Sequence, residues 1–140
     1  MSHHETDFFP AVLVISASRE HRALLANLLA GDGYEVTQSD GASDALSRVQ
    51  AQHFDLVVTG ILMFQMDGLE LLRAIVEMKA NLPVIVVGDA DPKMNPVYLK
   101  CASLLGAVHT HNYPPDPKAF LEGICEAIGS SRIPHPTHKA

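Results

Sequence analysis

The residues with chemistry to offer sit just after short apolar runs. Ser16-Ala17-Ser18 follows one such run, Gly60 another, Gly88-Asp89 a third and Asn112-Tyr113 a fourth. Ser16, Ser18 and Thr59 bring hydroxyls, but no neighbouring base is visible to turn one into a nucleophile. Asp89 and Asp91 fall in the polar loop Gly-Asp-Ala-Asp-Pro. There they are open to a metal or phosphoacceptor role, against the plainer reading of a solvated connection with turn chemistry. His109 and His111 share one side of a regular strand and, with His53 or with His135 and His138, would suit a transition metal. Isolated histidine pairs are more often surface or end-of-strand residues, and that is the expectation here.

Parallel strands alternating with helices would position these groups. Val12–Ile15 is a continuous β-branched run, as befits a strand covered on both faces. Leu24, Leu25, Leu28 and Leu29 then recur at helical spacing within Arg19–Ala30, which Gly31 and Gly33 end. A second strand is expected at Tyr34–Thr37 and a second helix at Ser43–Gln50, with cap candidates from Asp40 to Ser43. Leu56–Thr59 is the third strand, and Gly68 opens a helix to about Lys79 that Asp67 caps. Pro83–Val87 is the fourth strand. Asn95-Pro96 reads as N-cap and first turn of a helix ending near Gly106. Ala107–His111 is a weaker fifth strand and Pro117–Ile128 a last helix. Five strand–helix alternations predict a doubly wound (βα)5 fold: a five-stranded parallel sheet, helices on both faces, strand order 2-1-3-4-5.

Composition restricts the function classes. The 140 residues suit one domain, and 47% apolar with 19% charged residues is a globular balance. The net charge of −6, with no long basic run, argues against nucleic acid or an anionic membrane as partner. The longest uncharged apolar stretches, such as Leu56–Met66, are too short to span a bilayer. Cys101 and Cys125 form no metal spacing and fall on helices that this fold puts on opposite faces, so both read as small apolar fillers. A cytoplasmic setting fits. The expected organisation is a leader over 1–9, a domain over 10–129 and a disordered tail over 130–140, too short for an output domain.

Ligands of open parallel sheets bind at the strands' C-terminal ends, and there a family resemblance becomes specific. The segment DLVVTGILMFQMDGLELL (Asp55–Leu72) resembles the third strand, loop and third helix of bacterial response-regulator receiver domains, with the Met66-Asp67-Gly68 turn the strongest match. Leu82–Val87 is similar to that family's fourth strand, Gly106-Ala107 to the start of its fifth, and Pro114 to a proline that follows a cis peptide. The resemblance spans about Pro10 to Ile128. It implies phosphoryl transfer from a histidine kinase to an aspartate, with Mg²⁺ held by an acidic pair and the phosphoryl group contacted by a hydroxyl and a lysine.

Each of those positions departs from the pattern. The acidic pair falls on Ser16 and Ala17, the phosphoacceptor on Gly60, the hydroxyl on Gly88 and the lysine on Tyr113. The aromatic switch position falls on Thr110, and Phe64 replaces a common proline. Together these imply a pseudo-receiver without Mg²⁺ or enzymatic activity, acting through protein contacts. The resemblance places the partner surface around Tyr98, Lys100, Thr110, Lys118 and Glu122. It implies a histidine kinase, another regulator or an output protein as partner, and admits a homodimer. Two alternatives stay open: a small-ligand sensor using the space vacated at Gly60 and Gly88, and a flavodoxin-like cofactor-binding protein using Ser16-x-Ser18.

Overall fold

A computed structural model of the chain describes residues 9–63 and 66–131. Residues 1–8 of the expected leader over 1–9, residues 132–140 of the expected tail over 130–140, with His135 and His138, and Phe64 lie outside the described residues; the first two tail positions, 130 and 131, are not disordered but end the last helix. Ten elements alternate: β1 (Ala11–Ile15), α1 (Arg19–Gly31), β2 (Glu35–Ser39), α2 (Ala42–Ala51), β3 (Leu56–Thr59), α3 (Gly68–Met78), β4 (Val84–Gly88), α4 (Asn95–Leu105), β5 (His109–Asn112) and α5 (Pro117–Ser131). The five strands form one parallel sheet in the order β2-β1-β3-β4-β5, as the alternation predicts.

The sheet divides the core in two. Period-two alternation sends Leu13, Ile15, Val57, Val84 and Val86 to one face, where they meet Val49, Leu71, Leu72, Ile75 and Ala102 of α2, α3 and α4. Val12, Val14, Leu56, Val58, Ile85 and Val87 point the other way and meet Leu25 and Leu29 of α1 and Phe120 and Ile124 of α5. Strands covered on both faces must be apolar throughout, hence the uninterrupted runs of β1, β3 and β4. The edge strands β2 and β5, EVTQS and HTHN, are polar and partly exposed. Each large side chain buried to this degree contributes about 1.5–3 kcal/mol over its exposed state.

Several boundaries differ from the sequence reading, each for a visible reason. β2 runs to Ser39 because its pairing with β1 continues through Ile15 opposite Ser39. β5 starts only at His109, because the Ala107 amide is spent on Ala102 O at the end of α4. There Gly106, at φ 116°, takes the left-handed turn that stops the helix. The N-cap of α2 is Gly41, within the expected Asp40–Ser43 but without a side chain to bond, while Ser39 Oγ, at the end of β2, donates to Gly41 O and Asp44 Oδ2. Asn95 is not the cap of α4. It lies inside the first turn, Met94 is the cap residue without a side-chain bond, and the Asn95 amide is turned elsewhere. α3 keeps its expected cap: Asp67 accepts from the amides of Leu69 and Glu70, and Glu70 returns a bond to the Asp67 amide.

Candidate functional site

Because all strands are parallel, the residues after β1, β3, β4 and β5 gather at one end of the sheet. The Ser16 amide bonds Ser39 O at 3.1 Å, the Gly60 amide bonds Ile15 O at 2.9 Å, and the Tyr113 amide bonds Gly88 O at 2.9 Å. Ser16, Ala17, Gly60, Gly88 and Tyr113 therefore surround one place, and the Tyr113–Pro114 peptide is cis. Thr110 stands further back, paired with Val86 and half-buried.

The two glycines do not leave open space. A Cβ on Gly60 would lie 2.6 Å from Asp89 Oδ2, and one on Gly88 would lie 3.1 Å from the Asn95 side chain. Asp89 is no solvated loop residue: its side chain is only 6% exposed. Its Oδ1 accepts from the amides of Ile61 at 2.8 Å and Leu62 at 3.1 Å, bringing a carboxylate acceptor to two successive donors beyond β3. Asn95 is buried and bridges β4 to β5. Its Nδ2 donates to Gly88 O at 3.1 Å and Asn112 Oδ1 at 3.3 Å, and its Oδ1 accepts from the Ala90 amide at 3.0 Å. The vacated space expected of a ligand sensor is thus occupied by the chain's own side chains.

Two residues of α1 close the arrangement. His21 stacks on Tyr113 with centroids 3.7 Å apart and planes 22° from parallel. Its Nδ1 is shielded from solvent, has no hydrogen-bond partner among the described residues and lies 3.9 Å from Asp89 Oδ2. Arg22 Nη1 donates to Ser16 O at 2.7 Å. Burial, with the Glu20 charge as a smaller cause, pushes the Tyr113 hydroxyl's pKa up, so it stays protonated. Neither His21 nor Arg22 follows from strand-tip reasoning. A helical turn carries them over the tip from α1, three and four residues beyond its Ser18 cap.

The hydroxyls are committed to local structure. Ser16 Oγ bonds the Ser18 amide at 3.2 Å and Ser18 O at 3.3 Å, while Ser18 Oγ caps α1 through the His21 amide. A phosphate-wrapping loop of the flavodoxin kind is not built from them. Nor do the residues here fit Mg²⁺, which needs several oxygen ligands. Ser16 and Ala17 offer no carboxylate, and Asp89 is bonded to the loop amides. Among the described residues no group of three or more His, Cys, Asp or Glu side chains could hold a metal ion.

The other candidates are dispersed. Asp91 Oδ1 accepts from the Lys93 amide, a turn contact. Asp55 sits at the far end of β3, roughly 15 Å from the tip by strand rise, bonded to the Ala11 amide at 2.8 Å and beside His53 Nε2 at 3.1 Å. His109 and His111 do face one side, against Gly123 of α5, with His109 3.3 Å from Glu126. Burial against Phe120 lowers the pKa of His111, the charge on His109 adding to the effect. Cys101 and Cys125 are both free, and Cys125 is exposed rather than a filler: it lies on the outward side of α5, whose inward positions are Phe120, Ile124 and Ile128.

A parallel sheet in this order, with its strand tips gathered under loops, is the architecture of receiver domains. Residues 12–107 match the response regulator receiver domain family, and the chain belongs to that family, whose domains serve two-component signalling. Among its relatives, the response regulator receiver protein CpdR of Brucella abortus is 34% identical over 86 residues, covering 61% of this chain and 72% of that protein. The transcriptional regulatory protein ZraR of Klebsiella oxytoca is 36% identical over 76 residues, 54% of this chain but only 17% of the regulator's length. In structure, a CheY-like receiver domain protein from Methanospirillum hungatei superposes with a TM-score of 0.79 at 22% identity, covering 89% of this chain and 97% of its own. A receiver protein from Pseudomonas putida gives 0.74 at 29% identity, covering 85% and 98%. No helix among the described residues is long and apolar enough to cross a membrane.

Proposed function

We propose that this receiver domain is a pseudo-receiver: a non-enzymatic, phosphorylation-independent protein-interaction module of a cytoplasmic two-component pathway. One observation carries the reading. At the tip of β3 stands Gly60, and the carboxylate nearest to it, that of Asp89, is engaged with the amides of Ile61 and Leu62. Phosphoryl transfer in this family would need a free carboxylate nucleophile and a cation to neutralise the phosphoryl oxygens. Ser16 and Ala17 give that cation nothing to bind.

The surface of α4, β5 and α5 suits a partner such as a histidine kinase, another regulator, an output protein or a second copy of this chain. Lys100, Lys118 and Glu122 are exposed there, and Tyr98 and Thr110 are half-buried. On α4, Val97 and Leu104, seven residues apart and so on one side of the helix, are 55% and 78% exposed. The test is incubation with Mg²⁺ and acetyl phosphate followed by intact mass measurement. The expected result is no gain of about 80 Da, the mass of one phosphoryl group. A stoichiometric, hydroxylamine-sensitive adduct would overturn the reading.

A further inference from the structure

We infer that Asp89 is a built-in latch, an internal anion that holds the loop after β4 against the loop after β3 in a single arrangement. It deepens the phosphorylation-independent reading by naming what fixes the domain's conformation in place of a phosphoryl group. The geometry has three parts. The carboxylate sits in the space that any side chain at position 60 would need, with Oδ2 2.6 Å from that Cβ. Its other oxygen takes two successive amides of the β3–α3 loop. The stacked pair of His21 and Tyr113 flanks it, joining α1 to the segment after β5.

The latch acts at the start of α4. Asp89 immediately follows β4, and the same short loop is held on its other side by Asn95, which binds Gly88 O, the Ala90 amide and Asn112. Loop and helix start are therefore pinned both to β3 and to β5. Neutral alternatives at position 89 would leave the amides of Ile61 and Leu62 with a weaker acceptor or none, and charge-assisted bonds are roughly twice as strong as neutral ones. The absent side chain at Gly60 is a condition of the latch, because a Cβ there displaces the carboxylate.

A double-mutant cycle reads this directly. Gly60→Ala, Asp89→Ala and the double variant are compared with the wild type by thermal unfolding and by the amide proton resonances of Ile61 and Leu62. Gly60→Ala is expected to lower Tm by about 4 °C in the wild-type background. In the Asp89→Ala background it should cost less than half of that, since the carboxylate is already gone. Both substitutions should move the two amides upfield. Asp89→Asn, which keeps the shape and an acceptor oxygen, should fold and shift the same amides by less, so the proposal stays exposed even if Asp89→Ala does not fold. Equal losses for Gly60→Ala in both backgrounds, or amides that ignore position 89, overturn the latch. Neither result touches the acetyl phosphate outcome, so the latch and the functional reading fail separately.

Discussion

The imidazole of His21 lies flat against the ring of Tyr113, their centroids 3.7 Å apart, joining the first helix to the segment that leaves the last strand. The two residues are 92 positions apart in sequence, yet the fold brings both to the same end of the sheet. Their contact closes a site whose interior is filled by the side chains of Asp89 and Asn95. Stacked rings contribute about 0.5–1.5 kcal/mol beyond their buried area. His21→Ala and Tyr113→Ala, combined in a cycle and followed by urea unfolding, should show a coupling energy in that range. Additive losses would mean the contact is incidental.

Asn95 should be worth more than a surface asparagine. Asn95→Ala removes three hydrogen bonds and orphans the partly buried Ala90 amide, two residues beyond β4. A buried group left without its partner costs about 1–3 kcal/mol. Urea unfolding should show that loss, with protection of the Ala90 amide from hydrogen exchange falling before that of the β4 core.

At the start of α3, Asp67→Ala should cost about 1 kcal/mol, the usual worth of an N-cap side chain. The capping-box partner gives a check on mechanism: Glu70→Ala alone should cost less, because it spares both bonds to Asp67 Oδ1. Chemical denaturation of the two variants orders them.

The pH dependence follows from His111. Burial, with the charge of His109 as a smaller cause, lowers its pKa in the folded chain below the usual imidazole value of about 6.5. The unfolded chain therefore takes up the proton first, and stability rises with pH across this window. The contribution is present above pH 6.5 and is lost as pH falls through the lowered folded value. His111→Gln should flatten the fall in Tm between pH 7 and pH 5. An unchanged slope would place the effect elsewhere.

Much of this was legible in the sequence because the relevant signals are local and periodic. The runs of β1, β3 and β4 and the amphipathic stretch after Gly68 announce a two-faced parallel sheet, and Asp67 three residues before Glu70 announces its own cap. The strand tips were legible too, since they must follow the apolar runs. What filled them was not. Asp89 and Asn95 read as loop and cap residues by neighbourhood, yet both side chains turn inward because glycines on adjacent strands leave room. His21 reaches the tip through the pitch of α1, and only the packed structure reveals which turn of a helix overhangs which strand. The α2 cap falls at Gly41, inside the expected Asp40–Ser43, but a glycine has no side chain to bond the first turn.

The pairing of Gly60 with Asp89 also constrains how this sequence can change. Introducing a carboxylate at position 60 is a small step in the genetic code, but here it would meet the carboxylate of Asp89 at 2.6 Å from its own Cβ. Two like charges in a site this shielded repel strongly. The step is open only after position 89 has surrendered its acid, and surrendering that first leaves two amides without their acceptor. The two positions therefore form a valley between alternative sequences, which no single substitution crosses without loss.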